Sequence, residues 1–395
     1  MNVLFVTWDG PQTNYLQSLF LPIFKDLTGY GFSFSVLQFT WDNNEKINHN
    51  RFACDEAGIA YKAINVIRKP SAAIGAFVSA ISGKKHIIDM VKKHNIDVVM
   101  PRSTLPALST MLAAQCTNFK VLFDADGLPL DERVDFSGAN PQSIIYRIMR
   151  DIESQAVIRS NAVITRSMIA STILQHRAGS GTASNKFFEV ANGRSHNQFK
   201  PSSLKERNDV RAEMGLDGEC PLLVYAGSLG PQYCIEQMLT VYRGIKKELP
   251  QVRFLVLSGQ AEVLKSIAGD DAGIIYKSSG STEVSKYLAA SDVGLAIREP
   301  SFSMQGVAPI KLGEYLMCGI PVIATKGVGD TSMIHDCCGI LLSDNTTNSL
   351  NVAVSKFVTG YQSGNYISEV ISDVGIKYFS LESTVQKYLT ALQSL

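Results

Sequence analysis

The sequence predicts an α/β chain built from two doubly wound domains. Three observations carry that expectation. Short β-rich apolar runs alternate with longer helical patterns, the signature of βαβ units around a parallel sheet. The chain has 395 residues, 45% of them apolar, whereas a single hydrophobic core rarely grows past about 250 to 300 residues. A turn-rich stretch at 192–201, with Asn192-Gly193 at its start and Pro201 at its end, separates two sets of such runs.

In the first half the runs are 3–7, 34–39, 97–101, 121–123 and 162–165. In the second they are 222–226, 253–257, 273–276, 293–297 and 321–324, each followed by Gly, Ser, Arg or Thr where the crevice of a doubly wound sheet opens. The domains are therefore 1–192 and 193–378, with a separate segment at 379–395. After a polar stretch to Val210, residues 211–216 read as a short helix stopped by Gly215. Residues 381–392 carry apolar side chains at helical spacing and predict a terminal amphipathic helix that needs a docking partner. No internal repeat or low-complexity tract interrupts this pattern.

Composition narrows the function. A net charge of +1 creates no field that would gather nucleic acid. The seven cysteines are scattered apart from Cys337-Cys338 and form no CxxC, which suits reduced thiols in the cytosol. The N-terminus passes from an apolar run straight to Trp8-Asp9-Gly10-Pro11, a strand and turn instead of a signal peptide. No apolar stretch reaches about 18 residues, so a cytoplasmic location is expected. The six histidines show no metal-ligand spacing, and no Gly-x-Ser-x-Gly, P-loop or Gly-x-Gly-x-x-Gly pattern occurs.

The most informative stretch is 297–325, read as strand, irregular loop, short helix and strand. Pro309 suits the first turn of that helix and Gly319 its left-handed end. The amides of Val307, Ala308 and Ile310 would then be free to meet an anion, aided by the helix dipole. Lys311 and Glu314 lie three apart on one face, as a binding pair or as a solvated ion pair.

The pattern Pro309-x-Lys311-Leu312-x-Glu314-Tyr315-Leu316-x-Cys318-Gly319-x-Pro321-Val322-Ile323-Ala324-Thr325 resembles glycosyltransferase family 4, the large retaining GT-B family. The resemblance implies two Rossmann-like domains facing a central cleft, with the C-terminal helix returning to the N-terminal domain. It implies that Glu314 holds the ribose hydroxyls of a nucleotide-diphosphate sugar, since a carboxylate can accept from two vicinal hydroxyls. Residues 222–230 look like the family's first C-terminal strand and glycine loop, placing Gly227 and Ser228 at the diphosphate, although a ligand-free turn explains the same glycines. Lys277 and Ser278 fall where the family contacts the base, or in a solvent loop.

Departures accompany these matches. Gly306 stands where many members carry a sugar-contacting glutamate, and Ser228 and Tyr233 replace the usual basic pair at the diphosphate. Lys311 first, then Arg298, are the replacement cations; the alternative for Arg298 is an ion pair with Glu299.

In the N-terminal half, Gly10 and Asn14 occupy the first strand-to-helix loop, as acceptor contacts or as a capped turn. Asp124 and Asp126 lie in an acidic turn like one found in polysaccharide-assembly members, and are candidate acceptor residues, with Asp126 also a catalytic candidate beside Lys311 and Glu314. Asp124-Ala125-Asp126 also spells the DxD of metal-dependent GT-A enzymes; the GT-B resemblance implies neutralisation of the diphosphate by cations and helix ends, with no metal or other cofactor. Lys84-Lys85-His86 and Lys92-Lys93-His94 flank Ile87, Ile88, Met90 and Val91 on a helix that forms either a basic, apolar membrane-resting face or a solvated one.

The expected reaction is retaining transfer of a glycosyl group from a nucleotide-diphosphate sugar to a hydroxyl of a saccharide or lipid-linked acceptor, in bacterial O-antigen, capsule or exopolysaccharide synthesis. The resemblance implies that the donor phosphate takes the acceptor proton on the same face. A nucleotide-sugar epimerase, a sugar phosphorylase and a donor-binding homologue impaired by Gly306, Ser228 and Tyr233 are the alternatives.

Overall fold

The computed structural model describes residues 1–11, 13–278, 280, 283–334 and 339–395; Ser279, which follows the base-contact candidates Lys277 and Ser278, the Cys337-Cys338 pair and His335 lie outside them. The chain forms two compact units, one of Met1–Val190 with Thr384–Leu395, the other of Ala191–Ser383.

Among the described residues the first unit holds seven strands: β1 (Asn2–Asp9), β2 (Ser33–Thr40), β3 (Ala60–Asn65), β4 (Val98–Pro101), β5 (Lys120–Asp124), β6 (Ala162–Thr165) and β7 (Phe187–Glu189). All pairings are parallel, in the order β3-β2-β1-β4-β5-β6-β7. Val3 to Val6 of β1 are fully buried, as a central parallel strand covered on both faces requires. The closing helix Leu381–Gln393 buries Val385, Tyr388, Leu389 and Leu392 at helical spacing. From Thr384 onward it belongs to this unit, where the Tyr388 hydroxyl donates to Asp124 at 3.5 Å.

The second unit holds β8 (Leu222–Ala226), β9 (Arg253–Leu257), β10 (Ile274–Lys277), β11 (Val293–Ala296), β12 (Val322–Thr325) and β13 (Ile340–Ser343). Their order is β10-β9-β8-β11-β12-β13, again all parallel. This is the dinucleotide-fold order, which reverses direction between β8 and β11. The covering helix Ile235–Glu248 shows the expected stripe, with Met238, Leu239, Tyr242 and Ile245 buried.

The expected short helix at 211–216 is instead Leu204–Glu213, ended by Met214 and by Gly215 at φ +70°. Its start is fixed by a capping box in which Ser203 and Glu206 bond each other's backbone amides. Arg211, which the sequence places at a helix start, is buried in its last turn and bonds Asp292 at 2.6 Å and the carbonyls of Ala290 and Cys220. No helix among the described residues is long and apolar enough to cross a membrane.

Candidate functional site

Ligands of doubly wound sheets gather outside the carboxyl ends of the strands, where the order reverses. In the second unit that point lies after β8 and β11, and the loops there carry Gly227 and Arg298. Gly227 has φ +134°, and a Cβ on it would lie 2.4 Å from Cε and 2.7 Å from Nζ of Lys311. Glycine is needed at this turn for its backbone conformation, and the space it leaves is filled by the lysine.

Lys311 opens the helix Ile310–Met317. Pro309 sits one position earlier than expected, as the N-cap, and Gly319 takes φ +75° past the other end as predicted. The Lys311 ammonium lies 3.8 Å from the ring centroid of Tyr233 and 5.0 Å from that of Tyr225. Arg298 meets the same Tyr233 ring at 5.0 Å and approaches its hydroxyl at 3.4 Å through Nη2. Tyr233, which replaces a cation in the resembled family, thus gathers two others. Burial pushes the Lys311 ammonium down to about 8. Burial would raise Tyr233, but the charges of Lys311 and Arg298 outweigh it and hold the phenol at about 8.

The Lys311–Glu314 ion pair is absent among the described residues. Glu314 instead accepts from Arg194 Nε at 3.1 Å, with the two side chains 14% and 20% exposed. Arg194 is itself held in place, since its amide donates to Phe379 and its carbonyl accepts from Leu381. Burial pushes the Glu314 carboxyl above the ordinary range, against the pull of Arg194. Arg194 was missed in the sequence; it lies 120 residues from its partner, and its only local signal is the junction turn beside it.

The three free amides become two. Val307 turns its N–H back to the Met304 carbonyl at 3.5 Å, closing the turn Ser303–Gly306 that buries Gly306, whereas Ala308 and Ile310 have no amide partner among the described residues. Arg298 makes no ion pair with Glu299; its backbone is fixed by Thr325 and by Asn345, whose side chain donates to its carbonyl at 2.7 Å. Ser228 is exposed, and its carbonyl accepts from the Tyr225 hydroxyl. Lys277 lies 4.5 Å from the Tyr287 ring at the end of the edge strand β10, and no contact links it or Ser278 to the Gly227 cluster among the described residues.

The first unit has its own reversal, between β1 and β4. Gly10 there lines a cavity of about 640 Å³; Asn14, Asp124 and Asp126 do not. Asn14 begins the following helical segment by accepting from Ser18. Asp124, expected to be an acceptor contact, is fully buried and accepts from Arg166 on both oxygens, at 2.8 and 2.6 Å. Asp126 pairs with Arg102 at 2.6 Å. The acidic turn is therefore a double ion pair that ties β4, β5 and the end of β6 together. The basic helix is Ala72–His94, and Ile87, Met90 and Val91 face its core, so the expected apolar flank of Lys84 and Lys92 is not a surface.

Residues 220–359 match the family described as glycosyl transferases group 1. No curated protein matches the sequence closely enough to count as a relative. Among solved structures, the chain is similar to Alr3699/HepE of Anabaena in complex with UDP, with 13% identity, TM-score 0.73 and all of both chains covered. It is also similar to a glycosyltransferase of Rickettsia africae, at 15% identity and TM-score 0.73, covering 100% of this chain and 98% of that one. The UDP-GlcNAc 2-epimerase of Neisseria meningitidis bound to UDP-GlcNAc aligns over 100% of both chains at 12% identity and TM-score 0.61. These likenesses show a GT-B fold of two parallel-sheet Rossmann-like domains.

Proposed function

We propose that the chain is a retaining glycosyltransferase that uses a nucleotide-diphosphate sugar, with UDP the first nucleotide to test, and that it needs no metal or other cofactor. The observation that carries this reading is the seat of Lys311, its ammonium held against Gly227 and two tyrosine rings at the strand-order reversal, one helical turn from Glu314. Lys311 and Arg298 supply positive charge for the diphosphate, the Ala308 and Ile310 amides add donors, and Glu314 accepts from the pentose. In the reaction the bond between the anomeric carbon and the diphosphate oxygen breaks while the acceptor hydroxyl oxygen bonds to that carbon. The hydroxyl proton leaves with the diphosphate, so no side-chain base is needed.

The acceptor is a saccharide or a lipid-linked saccharide of a bacterial surface polysaccharide, reached from the cytoplasm. A membrane contact is supported by Ile74, Val78 and Ile81, exposed on one stripe of the helix Ala72–His94 with exposed Lys84 and Lys85 just beyond. The test is a thermal-shift screen with UDP, GDP, ADP and CMP, followed by a transfer assay with the nucleotide sugar of the stabilising base. Binding without transfer or slow hydrolysis overturns the enzymatic reading. The likeness to a 2-epimerase keeps a second reading in play, which predicts an altered sugar in the donor without any acceptor.

A further inference from the structure

The cavity of the first unit has walls that the donor reading leaves unused. Trp8 and Trp41 both line it, and these are the only two tryptophans of the chain. Parallel pairing of β1 with β2 brings them together, since Trp8 is opposite Phe39 in register and stacks on its ring at 5.0 Å. Trp41 follows β2 and packs on the loop after β1, where a Cβ on Gly10 would come within 2.5 Å of its ring. That loop is tied down by Lys46, whose ammonium donates to the carbonyls of Pro11 and Thr13 at 2.6 and 2.7 Å. The tryptophans therefore stand in a braced wall.

The opposite chemistry completes it. Arg68 lies 5.0 Å from the Trp41 ring, and Arg133 projects from the helix Pro129–Ser137; both line the cavity, and neither has an ion pair among the described residues. No aspartate or glutamate is among the described lining residues. Aromatic faces pack against the C–H faces of sugar rings, whereas a guanidinium without a carboxylate partner selects a planar or tetrahedral oxyanion.

We infer that this cavity takes an anionic sugar, with its ring against Trp41 and Trp8 and its phosphate or carboxylate between Arg68 and Arg133. This rests on the glycosyltransferase reading only in making that sugar the acceptor. The substrate class then is a saccharide charged beside the accepting residue, as a sugar phosphate, a lipid-linked sugar diphosphate or a uronic acid would be.

Because every tryptophan of the chain is in this cavity, intrinsic fluorescence reports its occupancy without a label. The full chain is titrated with glucose, glucose 1-phosphate and glucuronate at one ionic strength. We expect glucose 1-phosphate or glucuronate to change the emission at concentrations at least about tenfold lower than glucose, the effect of one charge-assisted contact. The phosphate and carboxylate arms separate the two sources of charge. Arg68→Gln and Arg133→Gln are surface changes that should each reduce the preference several-fold, while the thermal shift caused by UDP is retained. Equal response to charged and neutral sugars, no response to any, or a preference that survives both substitutions overturns the inference. A missing UDP shift in the unaltered chain would instead count against the donor site, and leaves the fluorescence result standing.

Discussion

Lys311→Met separates binding from folding. Methionine keeps an unbranched chain that can lie along Gly227 and the Tyr225 and Tyr233 rings, and removes only the charge. In the folded chain this half-buried ammonium titrates near 8 instead of 10.5, so folding disfavours its charged form by roughly 3 kcal/mol. The tyrosine rings return part of that, on the order of 1 kcal/mol. The substituted chain should thus be as stable at neutral pH as the parent, or more stable by about 1 to 2 kcal/mol, a rise of a few degrees in Tm for a domain of this size. Binding should move the other way. Loss of one charge-assisted contact to a diphosphate costs about 1.5 to 3 kcal/mol, which is roughly 10- to 150-fold in Kd. Calorimetric titration with UDP, beside scanning calorimetry of the free chain, measures each. A folded Lys311→Met protein with unchanged UDP affinity would refute the diphosphate role. A loss of several kcal/mol in stability would show that the lysine is there to hold the fold.

Further predictions concern the same loops and the buried ion pairs. Lys311 and Tyr233 are each pushed down to about 8 from their ordinary 10.5 and 10 and each depends on the other's charge, so raising the pH through 8 takes a proton from the pair and lowers its net positive charge. UDP affinity should fall from about pH 7 to about pH 9, while the cluster's contribution to the stability of the free chain rises, because over that range the unfolded state holds more protons; titrations across the range check both signs. Gly227→Ala must strain a residue at φ +134° by about 1 to 3 kcal/mol and push the lysine end aside, so UDP should bind at least about tenfold more weakly in a slightly less stable protein. Glu314→Ala leaves Arg194 partly buried without its carboxylate and should lower stability by about 1 to 3 kcal/mol along with UDP affinity, which a denaturant melt and a UDP titration resolve. Asp124→Asn leaves the buried Arg166 with only the more distant Asp126, 3.9 Å away, as a counter-charge and should cost about 1.5 to 3 kcal/mol in urea unfolding, with UDP affinity of the folded fraction unchanged.

Central strands were legible because both faces are covered and the residues are uniformly apolar, as in Leu222–Ala226, where all five are buried. The three strands not foreseen, β3, β7 and β13, are all sheet edges. Ala60–Asn65 is only half-buried along most of its length and mixes Tyr61 and Lys62 into its run, so it lacks the pattern that marks a buried strand. The helix bearing Lys311 and Glu314 was readable because its signals are local: a proline before it, a glycine after it, and two charged residues three apart. What those charges touch was not readable. Glu314 meets Arg194 from a distant turn, and Tyr233, which reads as a lost cation in sequence, gathers two cations in space. Asp124-Ala125-Asp126 misleads for the same reason, since Arg102 and Arg166 reach it only once β4, β5 and β6 lie side by side.

The most direct measurement is a crystal structure of the full chain with UDP. The diphosphate should lie within hydrogen-bond reach of Lys311 Nζ above Gly227, with the pentose hydroxyls at Glu314. Nucleotide density elsewhere, such as beside Trp41 in the other unit, with the Gly227 loop empty, would contradict the account.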